Sequence, residues 1–275
     1  MYGAIIGDIA GSFYETLEYK AHENNDVRSS LEKVMVIYGL PLFNKLSSCT
    51  DASILTCAVA DAILSNSSYE EKLKEYGLRE LSLSNSKGFG KDFVSWLKGN
   101  HQGTSYGNGC AMRIGPVGYL FDTLEDVKNE TYKATFLSHN HPESLRAAEA
   151  ISTSIFLLRK GMNKEKLKEY IEDNYYSFNF DMDKLIKRYK FTYKASDSVP
   201  QAIYCFLESQ NFEDAIRKAI SIGGDSDTIA CITGSLAEAY YGVPEDLIEI
   251  VRPYLKDYML PVLERFYQKP KINKL

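Results

Sequence analysis

Three glycines spaced four residues apart open the chain, in the run Gly3-Ala4-Ile5-Ile6-Gly7-Asp8-Ile9-Ala10-Gly11-Ser12-Phe13-Tyr14-Glu15. On a helix, Gly3, Gly7 and Gly11 share one face. Each glycine costs a helix interior about 1 kcal/mol relative to alanine, so three at this spacing predict that another backbone approaches that face closely. Glu15 continues the stripe and stands beside whatever approaches. The plainer alternative is a tightly packed first helix carrying a solvated glutamate.

Most periodic segments further along also read as helix. Over residues 51–64, Ile54, Leu55, Ala58, Val59, Ala62 and Ile63 recur at helical spacing while Asp61 points elsewhere. Thr50-Asp51 supplies a cap and an acidic first turn for that segment. Residues 142–160, 164–173, 199–209, 212–221 and 227–241 have the same character, and strand-like alternation is scarce. Loops are marked by glycine and asparagine at Ser86-Lys87-Gly88-Phe89-Gly90 and at Tyr106-Gly107-Asn108-Gly109. Neither reads as an interdomain linker, and there is no internal repeat. The expectation is an all-α fold, one compact multi-helix domain over residues 1–275. The stretch 174–193, rich in Tyr, Phe and Lys, reads as a surface elaboration.

Composition excludes several function classes. With 44% hydrophobic and 25% charged residues, the chain has the balance of a soluble folded protein. A net charge of -5 argues against a general nucleic-acid-binding surface, which needs clustered Lys and Arg. Cys49, Cys57, Cys110, Cys205 and Cys231 show no zinc-ligand spacing and read as reduced thiols packed like small hydrophobes. The first residues lack a signal-peptide pattern, and no stretch reaches the ~18 apolar residues of a membrane span. A cytoplasmic protein without membrane partners is expected, and its oligomeric state is not readable.

Two further acidic clusters accompany Glu15. One is Thr50-Asp51-Ala52-Ser53, ahead of an amphipathic helix; the other is Gly223-Gly224-Asp225-Ser226-Asp227-Thr228, ahead of a helix of small residues. A carboxylate at a helix start is ordinarily a cap worth about 0.3–1 kcal/mol. The second cluster strains that reading, since one cap needs one acceptor and here two carboxylates and a hydroxyl crowd into four residues. Crowded carboxylates repel unless a cation lies between them, and hard oxygen donors without a His/Cys set suit Mg²⁺ or Mn²⁺.

Together these runs resemble the ADP-ribosylglycohydrolase family. The resemblance extends in order over nearly the whole chain, through GAIIGDIAGSFYE, TDASILTCAVADAIL, GFGKDFVSWL, SYGNGCAMRIGPVG, SHNHPESLRAAEA, SVPQAIYCFLES and GGDSDTIACITGSLAEAYYG. It implies an α-helical domain holding two Mg²⁺ ions, replaceable by Mn²⁺, at the bottom of a cleft that receives ADP-ribose or an ADP-ribosylated macromolecule. By position, Thr50, Asp51, Asp225, Asp227 and Thr228 correspond to metal ligands and Glu15 to an acidic residue near the metals and the scissile bond. Gly88, Phe89 and Gly90 resemble the turn that holds the diphosphate on backbone N–H groups, where bare backbone approaches an anion closely. Asn108, Gly109 and Met112 match the ribose-side lining, and His139 a histidine that contacts substrate. Arg113 and Trp96 read as structural, His141 as the cap ahead of Pro142, and His22 and His101 as surface residues.

One departure stands out. The family pattern in the first of these clusters is Thr-Asp-Asp-Thr, whereas this chain reads Thr50-Asp51-Ala52-Ser53. Loss of a carboxylate from a two-metal site weakens at least one metal. The leading expectation is a Mg²⁺-dependent hydrolase that removes ADP-ribose from an acceptor, with Glu15 and Asp227 as candidates to position or transfer a proton. The alternatives are a non-catalytic ADP-ribose-binding or toxin-neutralising protein on the same scaffold, and hydrolysis of phosphate esters by the same metals.

Overall fold

The computed structural model describes residues 1–23, 37–83, 88–99 and 103–269, with backbone alone for 16–23. His101 and the side chain of His22, read above as surface residues, lie outside this description, as do Ser86 and Lys87. The helices are α1 (Tyr2–Glu23), α2 (Asp51–Leu64), α3 (Tyr69–Ser82), α4 (Lys91–Leu97), α5 (Gly109–Arg113), α6 (Gly115–Leu120), α7 (Leu124–Phe136) and α8 (Pro142–Arg159). They continue with α9 (Lys164–Asn174), α10 (Met182–Arg188), α11 (Ala195–Leu207), α12 (Phe212–Ile222), α13 (Ser226–Tyr241), α14 (Glu245–Val251) and α15 (Leu260–Tyr267). Among the described residues, strand-like pairing is limited to two isolated bridges, Thr104 with His139 and Gly107 with Lys194. The expected all-α fold is what forms, around one contiguous apolar core.

Helix α13 is the axis of that core. Every residue from Ser226 to Ala239 is buried, as a helix enclosed on all sides requires. Helix α1 makes its most extensive contact along it, and the glycine stripe is the reason. A Cβ added to Gly3 would lie 2.2 Å from the Gly234 carbonyl oxygen, one on Gly7 2.0 Å from that of Ala230, and one on Gly11 2.4 Å from that of Ser226. As the numbering climbs along α1 it falls along α13, so the two helices run antiparallel with their backbones in contact. That register carries Gly11 onto the turn holding Asp227 and sets Glu15 just beyond it. The Ser226 hydroxyl donates to the Gly11 carbonyl at 2.9 Å and pins the crossing.

Helix α2 is fastened to α1 by Asp8. This fully buried carboxylate accepts from the backbone N–H of Thr50 at 3.0 Å and of Ser53 at 3.1 Å, and from both of their hydroxyls. Two of the orphan donors of the α2 N-terminus are thereby satisfied by a residue of another helix. Thr50 is the N-cap, as its sequence position suggests.

Two expectations need correction. Helix α11 starts at Ala195, four residues before the predicted start, and carries Pro200 as its sixth residue, so the donor that would reach the Ser196 carbonyl is missing. The 174–193 stretch is more than a surface elaboration. It contains α10, buries Phe178 and Ile186, and sets the Tyr189 ring against Gly224, where an added Cβ would lie 2.5 Å from the ring. Aromatic bulk there buttresses the turn that leads into Asp225.

Candidate functional site

The α1–α13 register brings acids from the two ends of the chain together. Carboxylate oxygens of Glu15, Asp225 and Asp227 all lie within 4.8 Å of one another, with both aspartates buried. No lysine or arginine forms an ion pair with any of the three among the described residues. Burial, followed by the negative charge of Asp225, pushes the Glu15 carboxyl up to about 7, although a hydrogen bond with Asp227 opposes this. Asp227 is raised well above the usual carboxylate range by burial and by the charges of Asp225, Glu15 and Asp8. Asp225 is raised by burial against hydrogen bonds from Asp227, Asn108 and Thr228. Three acids whose ionised forms are each disfavoured by burial, two of them further by a neighbour's charge, make up an oxygen-only donor set that fits a hard divalent cation.

Asp51 borders this cluster. Burial and then the charges of Asp8, Asp225 and Glu15 raise its carboxyl well above the usual range. The α2 turn therefore faces the same electrostatic centre as the α13 turn. Ala52, in contrast, is fully buried and packs in the apolar core. Thr228 is 6% exposed, its amide donates to Asp227 Oδ1 at 2.6 Å, and its hydroxyl lies 3.7 Å from the Met112 sulfur.

The two glycine loops approach from either side. At Gly88 φ is +101°, a backbone conformation that favours glycine, and an added Cβ would lie 2.2 Å from Asp51 Oδ1. Gly90 is the N-cap of α4, with open space where a Cβ would stand. Phe89 stacks on Phe93 at 5.8 Å, and Phe93 on the buried Trp96 at 5.4 Å, so the indole does sit behind the loop. On the other side, Asn108 Nδ2 donates to Asp225 Oδ2 at 2.7 Å and to the Ser198 hydroxyl at 3.2 Å. This amide orients one of the clustered carboxylates. Gly109 faces His139, whose Nε2 would be 3.4 Å from an added Cβ, and Met112 Cε would be 3.8 Å away.

Of the histidines, His141 takes the capping role read from the sequence. It is the N-cap of α8, its Nδ1 accepting from the Glu143 amide at 3.3 Å. His139 is enclosed, and burial together with the Arg113 charge holds its imidazole well below the usual value, so it is neutral. Arg113 is itself fully enclosed, stacked 5.4 Å from the Phe93 ring centroid.

The structure thus gathers Glu15, Asp51, Asp225 and Asp227, with Thr50, Thr228 and Asn108 bonded into or beside them. Sequence reasoning missed Asp8. Its signal was an acid inside the run Ile5-Ile6-Gly7-Asp8-Ile9-Ala10, where a buried helix tolerates a carboxylate only with partners waiting for it. Ser198 and Ser138 carried no such signal.

Known proteins resemble this chain in sequence and fold. The sequence profile described as ADP-ribosylglycohydrolase matches residues 1–273. Human ADP-ribosylhydrolase ARH3 is 26% identical, with the alignment covering 97% of this chain and 92% of the human protein. ADP-ribosylarginine hydrolase Tri1 of Pseudomonas putida (strain GB-1) is 22% identical over 99% of this chain and 78% of its own length. Among solved structures, an ADP-ribosylglycohydrolase-related protein complex shares the fold with a TM-score of 0.66 at 18% identity, covering 97% of this chain and 96% of that one.

Proposed function

The chain belongs to the ADP-ribosylglycohydrolase family, and from that premise we propose that it is a magnesium-dependent hydrolase that releases ADP-ribose from a modified acceptor. The observation that carries the reading is the convergence of Glu15, Asp225 and Asp227, from opposite ends of the chain, within 4.8 Å of one another. Two Mg²⁺ ions, or Mn²⁺ in their place, would be held by Thr50, Asp51, Asp225, Asp227 and Thr228, with Glu15 beside them. Bound there, such cations supply Lewis acidity and lower the pKa of coordinated water. The Ala52 side chain offers no oxygen, so the weaker position is the one that depends on the Thr50-Asp51 turn.

The chain's own residues account for the remaining tasks. Glu15, whose carboxylate stands beside Asp225 and Asp227, is placed to take up or give back a proton at the reacting bond. Asp227 hydrogen-bonds with Glu15 and orients it. Backbone N–H groups of Gly88, Phe89 and Gly90 receive the diphosphate, while Asn108, Gly109, Met112 and His139 line the ribose side. The name of the Pseudomonas putida relative specifies an arginine linkage, which makes arginine the first acceptor to try.

A second reading is favoured by one observation, the apolar burial of Ala52: binding of ADP-ribose without turnover. Both are tested by incubating the protein with ADP-ribosylated arginine, serine and nucleobase substrates, with and without Mg²⁺, alongside Ala52→Asp. Mg²⁺-dependent release is expected from at least one substrate. Release from none, by either form, ends the hydrolase reading; tight ADP-ribose binding without release, unchanged in Ala52→Asp, supports the binder.

A further inference from the structure

A short polar chain runs behind the ligand face of His139. Arg113 Nη2 lies 2.6 Å from the Ser138 hydroxyl, and that hydroxyl lies 2.8 Å from His139 Nδ1. All three side chains are buried. A guanidinium has donors only, so the serine oxygen accepts from Arg113. The serine has one proton to place. If it goes to Nδ1, the imidazole carries its own proton on Nε2. If Nδ1 were protonated instead, the serine would accept twice, and its proton would be stranded in a site 2% exposed. Among the described residues, Ser138 Oγ has no other acceptor bonded to it. A stranded buried donor disfavours the second arrangement by about tenfold or more.

The far side of the ring points to the purpose. Nε2 faces the bare backbone of the Asn108 loop, 3.8 Å from where a Cβ on Gly107 would stand and 3.4 Å from one on Gly109. It bonds no protein group among the described residues. The His139 backbone is fixed by its amide donating to the Thr135 carbonyl at 2.9 Å and by the bridge to Thr104. A neutral imidazole has a single N–H, and here it is aimed at whatever occupies the loop.

We propose that Ser138, itself held by Arg113, is a positioning residue that fixes His139 as its Nε2–H tautomer, so that the site offers its ligand a donor at this point and selects an acceptor atom there. The identity of that ligand as ADP-ribose rests on the functional reading above; the tautomer is a property of the free protein.

The two are separable by experiment. In the ¹⁵N-labelled, ligand-free protein at neutral pH, a long-range ¹H–¹⁵N correlation reports which ring nitrogen carries the proton, with His139→Gln assigning the signal. His139 is expected with Nε2 protonated and Nδ1 bare. Ser138→Ala is expected to shift population to the Nδ1–H form and to weaken ADP-ribose binding by about tenfold, with no added loss when combined with His139→Gln. Ser138→Thr, which keeps the hydroxyl, retains the wild-type tautomer. Protonation at Nδ1 in the wild type, an unchanged tautomer in Ser138→Ala, or an equal affinity loss in the His139→Gln background each overturns the proposal. If Ser138→Ala does not fold, the wild-type and Ser138→Thr spectra decide. The expected tautomer without any ADP-ribose binding upholds the positioning role and removes the ADP-ribose reading.

Discussion

Gly11→Ala perturbs the candidate site through backbone alone. Its added methyl would lie 2.4 Å from the Ser226 carbonyl oxygen, 2.5 Å from Asp227 Cα and 2.6 Å from Asp227 N. Ordinary carbon contacts begin near 3.4–3.5 Å, so α1 and the Asp227 turn must part by about 1 Å. None of the three atoms belongs to a side chain that can rotate away. Overpacking costs about 1–3 kcal/mol, offset by about 1 kcal/mol of helix propensity gained over glycine. The net loss is at most about 2 kcal/mol, a fall in Tm of up to about 5 °C. The functional loss is larger, because a displacement of about 1 Å at a catalytic constellation costs on the order of 100-fold in rate. Gly7→Ala is the control: it meets the Ala230 carbonyl at 2.0 Å, one turn farther from Asp227. Calorimetric titration with Mn²⁺ and thermal melts on both variants are the assays. Both should melt early, and Gly11→Ala alone should lose most of its cation affinity. A folded Gly11→Ala protein that binds Mn²⁺ like wild type would refute the claim that the glycine stripe sets the acid cluster.

Three further outcomes follow from the same geometry. Asp227→Asn replaces an acid whose ionised form burial and its neighbours already disfavour with a neutral amide of the same shape, so the cation-free Tm should not fall while Mg²⁺ no longer raises it; calorimetry with and without EDTA reads both. Ala52→Asp places a carboxylate at a fully buried apolar position, which should lower the cation-free Tm by on the order of 5–10 °C through uncompensated burial. Millimolar Mg²⁺ should restore it, and failure to do so would show that position 52 does not face the metals. For pH, burial holds Glu15 at about 7 and Asp8 at about 6 in the folded protein. Raised folded values mean that this contribution to stability is fully present below the unfolded carboxyl range and is lost as pH rises through 6 to 7. The cation-free Tm should therefore fall between about pH 4 and pH 7, and Mg²⁺ affinity should rise over the same interval as cation displaces proton. Melts across pH with and without Mg²⁺ measure both.

The features legible in the sequence were those that violate a local rule. Glycine at 3, 7 and 11 opposes helix propensity, so it announced a close backbone neighbour. Two carboxylates within three residues at 225 and 227 oppose electrostatics, so they announced an acidic cluster, which Glu15 completes. His141 was legible as a cap because Pro142 fixes the helix start behind it. What stayed hidden depends on partners far away in sequence. Asp8 became interpretable only once α1 and α2 were in contact, since its four bonds come from Thr50 and Ser53. The Arg113–Ser138–His139 chain joins two segments whose proximity no periodicity encodes. The aromatic residues of 174–193 looked peripheral for the same reason, because the turn they support lies more than thirty residues onward.

In the proposed function, acids from both ends of the chain meet around the bound cations. The most direct measurement is the anomalous signal of Mn²⁺ in crystals soaked with the ion and ADP-ribose. A peak within coordination distance of Asp225 and Asp227 and beside Glu15, absent from Asp227→Asn crystals, is the predicted result. Manganese bound only elsewhere, with those carboxylates unliganded, would contradict it.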